Sequence, residues 1–424
     1  MYLDKICLLG LLIALFFIYI LVVLKKKNID FGYRTIIAMF LGIILGAIFP
    51  QKMEYVYPIG KIYIGFITAM VIPLLFISVV SSIIHLKDIS RLKNIGLKAV
   101  FWLTLNTILA SILALIICLL TNIGQNITIN LTEDYVAREV PNITEVIIDL
   151  FPQNIFVDAY NNKIVSIITF SILIGISILY VNNKIKDFIL DCQAIINKAI
   201  SILVEFTPYA VLSLIATSVA NNSIDKLLPL ISVLIISYII CIVHLFGINS
   251  ILLLICGKIN PKYFFKKMFT ALTTAFTSQS SVATLPITIK CLDNMGVDKS
   301  VYSFTAPLGT TMGMPACAGI WPVVLAVVCI NSLNIEYSIS QYILLIIITG
   351  IVSIGTVGVP GTSTITTTAI FTAMGLPLDV IVITTPISMV VDMIRTATNV
   401  AGAGVSSIMV AKSENKLNLQ KYKS

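Results

Sequence analysis

The chain has 424 residues, of which 58% are hydrophobic and only 11% charged, with a formal net charge of +8 and a mean hydropathy of +1.01. That balance excludes a soluble globular domain of this length and gives an all-α polytopic protein whose solvent is the lipid bilayer. The basic excess sorts by membrane side and so requires no nucleic-acid partner.

Apolar stretches of about the 20 residues needed to span a bilayer fall near 6–24, 35–50, 60–84, 99–120, 164–182, 199–220, 227–256, 301–330 and 376–411. The first is read as a retained extra helix, residues 1–27. Its apolar core is long, Lys25, Lys26 and Lys27 follow it, and no small-residue cleavage site stands out. With the N-terminus outside, the basic clusters at 25–34, 87–98, 184–198, 258–267, 290–299 and 412–423 all fall on one side and hold most of the 28 Lys and Arg. By the positive-inside rule that side, with the C-terminus, is cytoplasmic. The acid-rich stretch 121–163 is then an external loop.

Two stretches interrupt the apolar pattern, and the topology closes only if each enters and leaves from one side. The first, 267–291, centres on Thr277-Ser278-Gln279-Ser280-Ser281-Val282-Ala283-Thr284-Leu285-Pro286; the second, 340–375, on Gly355-Thr356-Val357-Gly358-Val359-Pro360-Gly361-Thr362-Ser363-Thr364. Helix-breaking residues at membrane depth are tolerated where the freed backbone groups are buried in protein or line an aqueous cavity. Both stretches are therefore expected to be re-entrant hairpins, each followed by a long span. Since one enters from the cytoplasm and the other from outside, the pair has inverted topology, the pattern of a secondary transporter with its site at the repeat interface. A third interruption, Pro307 to Gly319, should unwind the span 301–330.

The last span, 376–411, carries Asp392, Arg395, Thr396 and Asn399. Separations of three, four and seven put them on one helix face. Charges at this depth cost roughly 2.5 kcal/mol or more each, and they persist where they face a partner or a water-filled cavity. That face is the first candidate for a ligand site; a self-neutralising structural pair is the alternative. The eight cysteines form no Cys-x-x-Cys pair and read as small core residues. An intramembrane hydrolase is disfavoured, because His85 and His244 are the only histidines and no nucleophile motif frames a serine. An ion channel fits the Asp392/Arg395 pair less well than a zwitterionic solute does. Glu205 reads as a structural acid before it reads as a proton carrier.

Taken together, these elements resemble the dicarboxylate/amino acid:cation symporter family, the glutamate-transporter fold, over roughly residues 34–412. Within it the nearest likeness is to bacterial L-cystine uptake symporters. It rests on Phe151-Pro152-Gln153-Asn154-Ile155-Phe156, on Phe206-Thr207-Pro208-Tyr209-Ala210-Val211-Leu212, on Ala316-Cys317-Ala318-Gly319-Ile320-Trp321-Pro322, and on the final Asp-x-x-Arg-Thr-x-x-Asn. The resemblance implies about nine transmembrane helices and two hairpins. It also implies a homotrimer in which a transport domain, 98–120 and 227–412, slides against scaffold elements at 28–97 and 164–226. Asp392 would take the ammonium of an amino-acid substrate, Thr396 and Asn399 its carboxylate, and Arg395 a second carboxylate. Ser280 and Ser281 would donate from the first hairpin tip, and Gly358, Val359 and Ser363 would belong to a gate.

No cofactor is implied, only a coupling ion, Na+ or H+. Acidic amino acid carriers of this fold have Asn-Met-Asp-Gly-Thr in the unwound span, where this chain has Gly313-Met314-Pro315-Ala316-Cys317; a further acid is replaced by Ala403. Two sodium sites thus lack the oxygen ligands that hard cations prefer. A third, mainly of carbonyls, would comprise Thr311, Met314, Ser353, Ile354 and Thr356. A zwitterion such as cystine needs less counter-charge than a dianion; an acidic amino acid or C4-dicarboxylate is the alternative substrate.

Overall fold

A bilayer offers no partner to backbone N–H and C=O groups, so apolar runs must close their hydrogen bonds internally as helices. The computed structural model describes residues 5–29, 31–84, 92–125, 127, 151–161, 164–180, 183–221, 229–356 and 362–423. Among them every regular element is helical, apart from one isolated bridge between Val297 and Leu417. In order these are α1 (Lys5–Lys26), α2 (Phe31–Ile48), α3 (Tyr57–Ile84), α4 (Leu92–Thr121), α5 (Ile155–Tyr160), α6 (Ile164–Leu179), α7 (Asn183–Val204) and α8 (Thr207–Asn221). After these come α9 (Leu230–Cys256) and α10 (Pro261–Ser278), then α11 (Ser281–Asn294), α12 (Lys299–Gly309), α13 (Pro315–Ser332), α14 (Ile339–Val352), α15 (Thr362–Met374), α16 (Asp379–Ser413) and α17 (Leu419–Lys423).

Nine hydropathic runs do not become nine straight helices. The described residues hold four helices long and apolar enough to cross a membrane, or six if each of two bent pairs is one span; other runs form shorter apolar helices such as Tyr33–Ile48. One bent pair, Lys184–Leu203 with Thr207–Thr217, turns by 46°. Pro208 lacks an N–H and crowds the preceding turn, so the helix ends and restarts there. The basic cluster 184–198 lies within the helix α7, with its charges on an amphipathic face. The acid-rich stretch 121–163 falls largely outside the described residues, as does His85.

Two large buried clusters form among the described residues, beside two small ones, one of Val80, Ile84 and Ile178 and one of Met314, Cys317 and Ala318. The smaller of the large pair joins α1, α2 and α8 through Ala14, Leu21, Ala38, Leu45, Leu212 and Ala216, among others. Glycines permit that contact: a β-carbon at Gly46 would lie 2.4 Å from the Ala216 carbonyl oxygen, so only a bare backbone lets α2 approach α8 this closely. Cys7, Gly10, Ala14 and Leu21 give α1 a buried face at helical spacing, and Leu9, Leu12 and Phe16 are exposed. Where α1 ends, Glu205 pairs with Lys25 at 2.9 Å and with Arg34 at 3.6 Å, which makes it a structural acid between three segments.

The larger cluster gathers α4, α9 and the hairpin-bearing half around Trp321, Phe371 and Phe264, and it takes in Leu74, Leu75 and Val79 of α3, Ile168 of α6 and Ile200 of α7. Local chemistry sets its helix ends. Asn260 caps α10 with Pro261 at its first position, Ser280 caps α11, and Asp298 caps α12. The hydroxyl and backbone N–H of Ser300 hold the Asp298 carboxyl below its ordinary range. Residues 414–423 return beneath this cap. Asp298 N donates to the Lys416 carbonyl (3.0 Å), Asn418 N to Gly296 (2.9 Å), and the buried Tyr422 hydroxyl to Asn260 (3.0 Å).

Candidate functional site

The first interruption is a helix–turn–helix. Gln279, at φ 53°, ends α10 in the left-handed region, and the Ser280 hydroxyl accepts the Ala283 N–H at 3.2 Å as the cap of α11. Ser281, at the start of α11, is buried. Both arms pack on α16. In the second interruption α14 tightens into a single turn, Ser353–Gly355, before Thr356, and α15 begins at Thr362. Gly358 and Val359 lie outside the described residues. Ser363 is buried, and its carbonyl accepts the Thr367 hydroxyl at 2.6 Å.

Between α12 and α13 the chain is unwound only over 310–314, less than the Pro/Gly content suggests. Pro315 occupies the first position of the next helix, where a missing N–H costs nothing, and Pro315–Ile320 winds as a π-turn. The turning point is Gly313 at φ +60°, whose N–H donates to the Ser353 carbonyl at 2.8 Å. That bond brings the unwound segment, with Thr311 and Met314, to the end of α14, with Ser353, Ile354 and Thr356. Of these, Met314 and Ser353 are buried, Thr311 bonds back to Leu308, and Thr356 to Ser353.

On α16 the predicted face is buried throughout: Asp392 is 4% exposed, Arg395 1%, Thr396 4% and Asn399 3%. Arg395 Nη2 lies 3.2 Å from Asp392 Oδ1 and donates to the Ser388 carbonyl (2.6 Å) and hydroxyl (3.0 Å). Its Nε and Nη1 are buried without a hydrogen-bond partner among the described residues. The Thr396 hydroxyl is turned back onto the Asp392 carbonyl at 2.8 Å. Asn399 Oδ1 accepts N–H groups from Ala316 (2.8 Å) and Cys317 (3.4 Å), while its Nδ2 donates to Cys317 Sγ at 3.0 Å. The Thr366 hydroxyl donates to the Cys317 carbonyl at 2.8 Å. Helix α16, the π-turn and α15 therefore meet at Cys317, a contact that cysteine counting missed. Trp321 and Ser388 were also missed. Ser388 stands two helical turns before Arg395, a separation that could have flagged it.

Chemically, the face offers one fixed carboxylate, two free guanidinium nitrogens and a wall of hydroxyls. That combination fits a solute carrying both an amine and carboxylates. Where the family pattern has further acids the space is tightly filled. Ala403 abuts Gly309, whose β-carbon would fall 2.5 Å from that of Ala403, and Pro315 packs against Gly402, where a β-carbon would lie 2.9 Å from its Cγ. We therefore expect Ala403→Asp to cost about 1–3 kcal/mol through overpacking and to recruit no sodium. Thermal unfolding in detergent with NaCl against choline chloride tests this; a sodium-dependent rise in Tm for the variant would contradict it. Beside Gly402, His244 Nε2 lies 2.9 Å from Asn106 Oδ1, and Asn106 donates to Asn249 at 2.8 Å. These residues form a buried polar network with His244 on a second π-turn of α9.

Hairpin, unwound segment and buried charged face together define a multi-pass membrane transporter that carries a small molecule, and not an enzyme. The chain belongs to the Sodium:dicarboxylate symporter family, whose profile matches residues 31–413, and is a cation-coupled symporter. It is 28% identical to the L-cystine uptake protein TcyP of Bacillus anthracis, over 97% of this chain and 95% of that protein. It is likewise 28% identical to the TcyP of Shouchella clausii (94% and 92%) and 26% identical to the proton/sodium-glutamate symport protein of Geobacillus stearothermophilus (94% and 97%). The Bacillus match covers more of the chain than the family profile, so it runs into α1.

Proposed function

We propose that the protein imports L-cystine, or a close amino-acid analogue, across the cell membrane by cation-coupled symport, as a homotrimer with its N-terminus outside. One observation carries the reading. Asp392 and Arg395 neutralise each other, two guanidinium nitrogens remain open, and the places where acids would balance a dianion with its sodium ions are filled by Ala403 and Pro315. A zwitterion with a second carboxylate matches that charge count. In this reading Asp392 receives the α-ammonium, Arg395 the distal carboxylate, Thr396 and Asn399 rotate to the proximal one, and Ser280 and Ser281 donate from the first hairpin. The second hairpin, with Gly358, Val359 and Ser363, closes over the ligand. A coupling cation sits among Thr311, Met314, Ser353, Ile354 and Thr356.

The test is uptake of radiolabelled L-cystine into proteoliposomes, with sodium and proton gradients imposed separately and unlabelled aspartate as competitor. We expect accumulation driven by one gradient and unaffected by aspartate. The name of the Geobacillus relative favours a second reading, an acidic amino acid held by the same Arg395. Aspartate accumulation without cystine uptake would establish that reading instead.

A further inference from the structure

We infer that Trp321 is a positioning residue for the substrate carboxylate, acting through Arg395. The Arg395 guanidinium carbon lies 4.6 Å from the centroid of the Trp321 ring, and both side chains are 1% exposed, the two largest fully buried side chains in the described protein. A guanidinium over an indole face is held by the ring quadrupole, more strongly when water is excluded. Arg395 is then restrained in two ways. Its Nη2 is engaged by the Ser388 carbonyl, the Ser388 hydroxyl and Asp392 Oδ1, and one flat face is covered by the indole. Rotation about the guanidinium axis would break both restraints at once. What remains for a ligand is a fixed pair of donors, Nε and Nη1, buried and without other partners among the described residues.

The surrounding backbone explains how Trp321 is placed. It follows the π-turn Pro315–Ile320 directly and precedes Pro322. The π-turn adds a residue to the helical cycle, which shifts the register of every side chain after it. The same turn holds Asn399 through the Ala316 and Cys317 N–H groups. One irregular turn thus sets both ends of the recognition face on α16. A carboxylate meeting a guanidinium of fixed plane is recognised by direction as well as charge, and so the indole tunes selectivity for a substrate with a carboxylate at that distance.

This inference rests on the amino-acid reading above, and its test separates the two. The chain has two tryptophans, and Trp102 lies on α4 with its ring edge-on to Phe101, so Trp102→Phe leaves Trp321 as the sole indole reporter. In that protein, reconstituted at full length, saturating L-cystine or L-aspartate, whichever is taken up, should shift Trp321 emission, and Arg395→Lys should remove the shift. Trp321→Leu should raise KM roughly tenfold, equivalent to about 1.4 kcal/mol, with the maximal rate within about twofold. Trp321→Phe, which keeps a ring face, should stay within about threefold of the parent KM. Uptake without any change in Trp321 emission, or equal KM values for the Leu and Phe variants, overturns the positioning role and leaves the transport reading standing. If Trp102→Phe protein accumulates neither solute, the amino-acid reading fails and the positioning role fails with it.

Discussion

Arg395→Ala is expected to lower uptake at least about 100-fold while the protein still assembles. The arginine is buried, and truncating one partner of a buried pair leaves the other uncompensated, at a cost of about 3–5 kcal/mol. Here the stranded group is Asp392, whose carboxylate has, among the described residues, only the weak Cys317 thiol, 3.9 Å away, as a further partner. Part of that cost is relieved if Asp392 takes up a proton, which is why folding should survive while recognition does not. Asp392→Asn should abolish uptake from the other side. It removes the anion that would receive an ammonium, yet leaves Arg395 held by Ser388 and Trp321. Arg395→Lys separates charge from geometry: an ammonium keeps the charge and loses the planar donor set, so we expect a loss intermediate between wild type and Arg395→Ala. The measurement is initial uptake rate in proteoliposomes, with size-exclusion profiles as the control for assembly. Normal transport by either the alanine or the asparagine variant would remove the substrate from this face.

The face itself was legible because its signal is chemical and periodic. Charges in an apolar run are rare, and separations of three, four and seven survive any uncertainty in helix ends. The first hairpin was legible for a similar reason, since Ser280 and Ser281 are helix-cap residues inside an apolar context. What escaped notice depends on hydrogen-bond register. Nothing in Pro315-Ala316-Cys317 announces a π-turn, and without it neither the Cys317 contacts with Asn399 nor the Trp321 stack can be placed. A tryptophan in an apolar span reads as core, and it is core; its second role exists only because Arg395 points at it. Ser388 went unnoticed because a serine in an apolar run reads as one more small core residue, and its carbonyl and hydroxyl gain a role only when Arg395 donates to both.

Gly313→Ala should prevent the unwound segment from forming. At φ +60° an L side chain is disfavoured by roughly 1–2 kcal/mol, and here the strain adds to a collision. A β-carbon at 313 would sit 2.6 Å from Leu103 Cβ and 2.8 Å from the Leu103 backbone carbonyl. Backbone cannot move aside as a flexible side chain would, so α4 or the segment must shift, with an overpacking cost of about 1–3 kcal/mol more. Either shift strains the bond from the Gly313 N–H to the Ser353 carbonyl, which joins the unwound segment to α14, and displaces the π-turn two residues on. Consequently the variant should lose stability and transport together, with Tm lowered and uptake reduced by more than tenfold. A suppressor gives the argument its sharper form. Removing the Leu103 side chain in Leu103→Gly relieves the contact with Leu103 Cβ but not the contact with the backbone carbonyl or the φ penalty. The double variant should therefore recover only a minor part of the lost stability. Full recovery would mean that the side-chain collision alone makes glycine necessary at this position, and that the left-handed turn is dispensable.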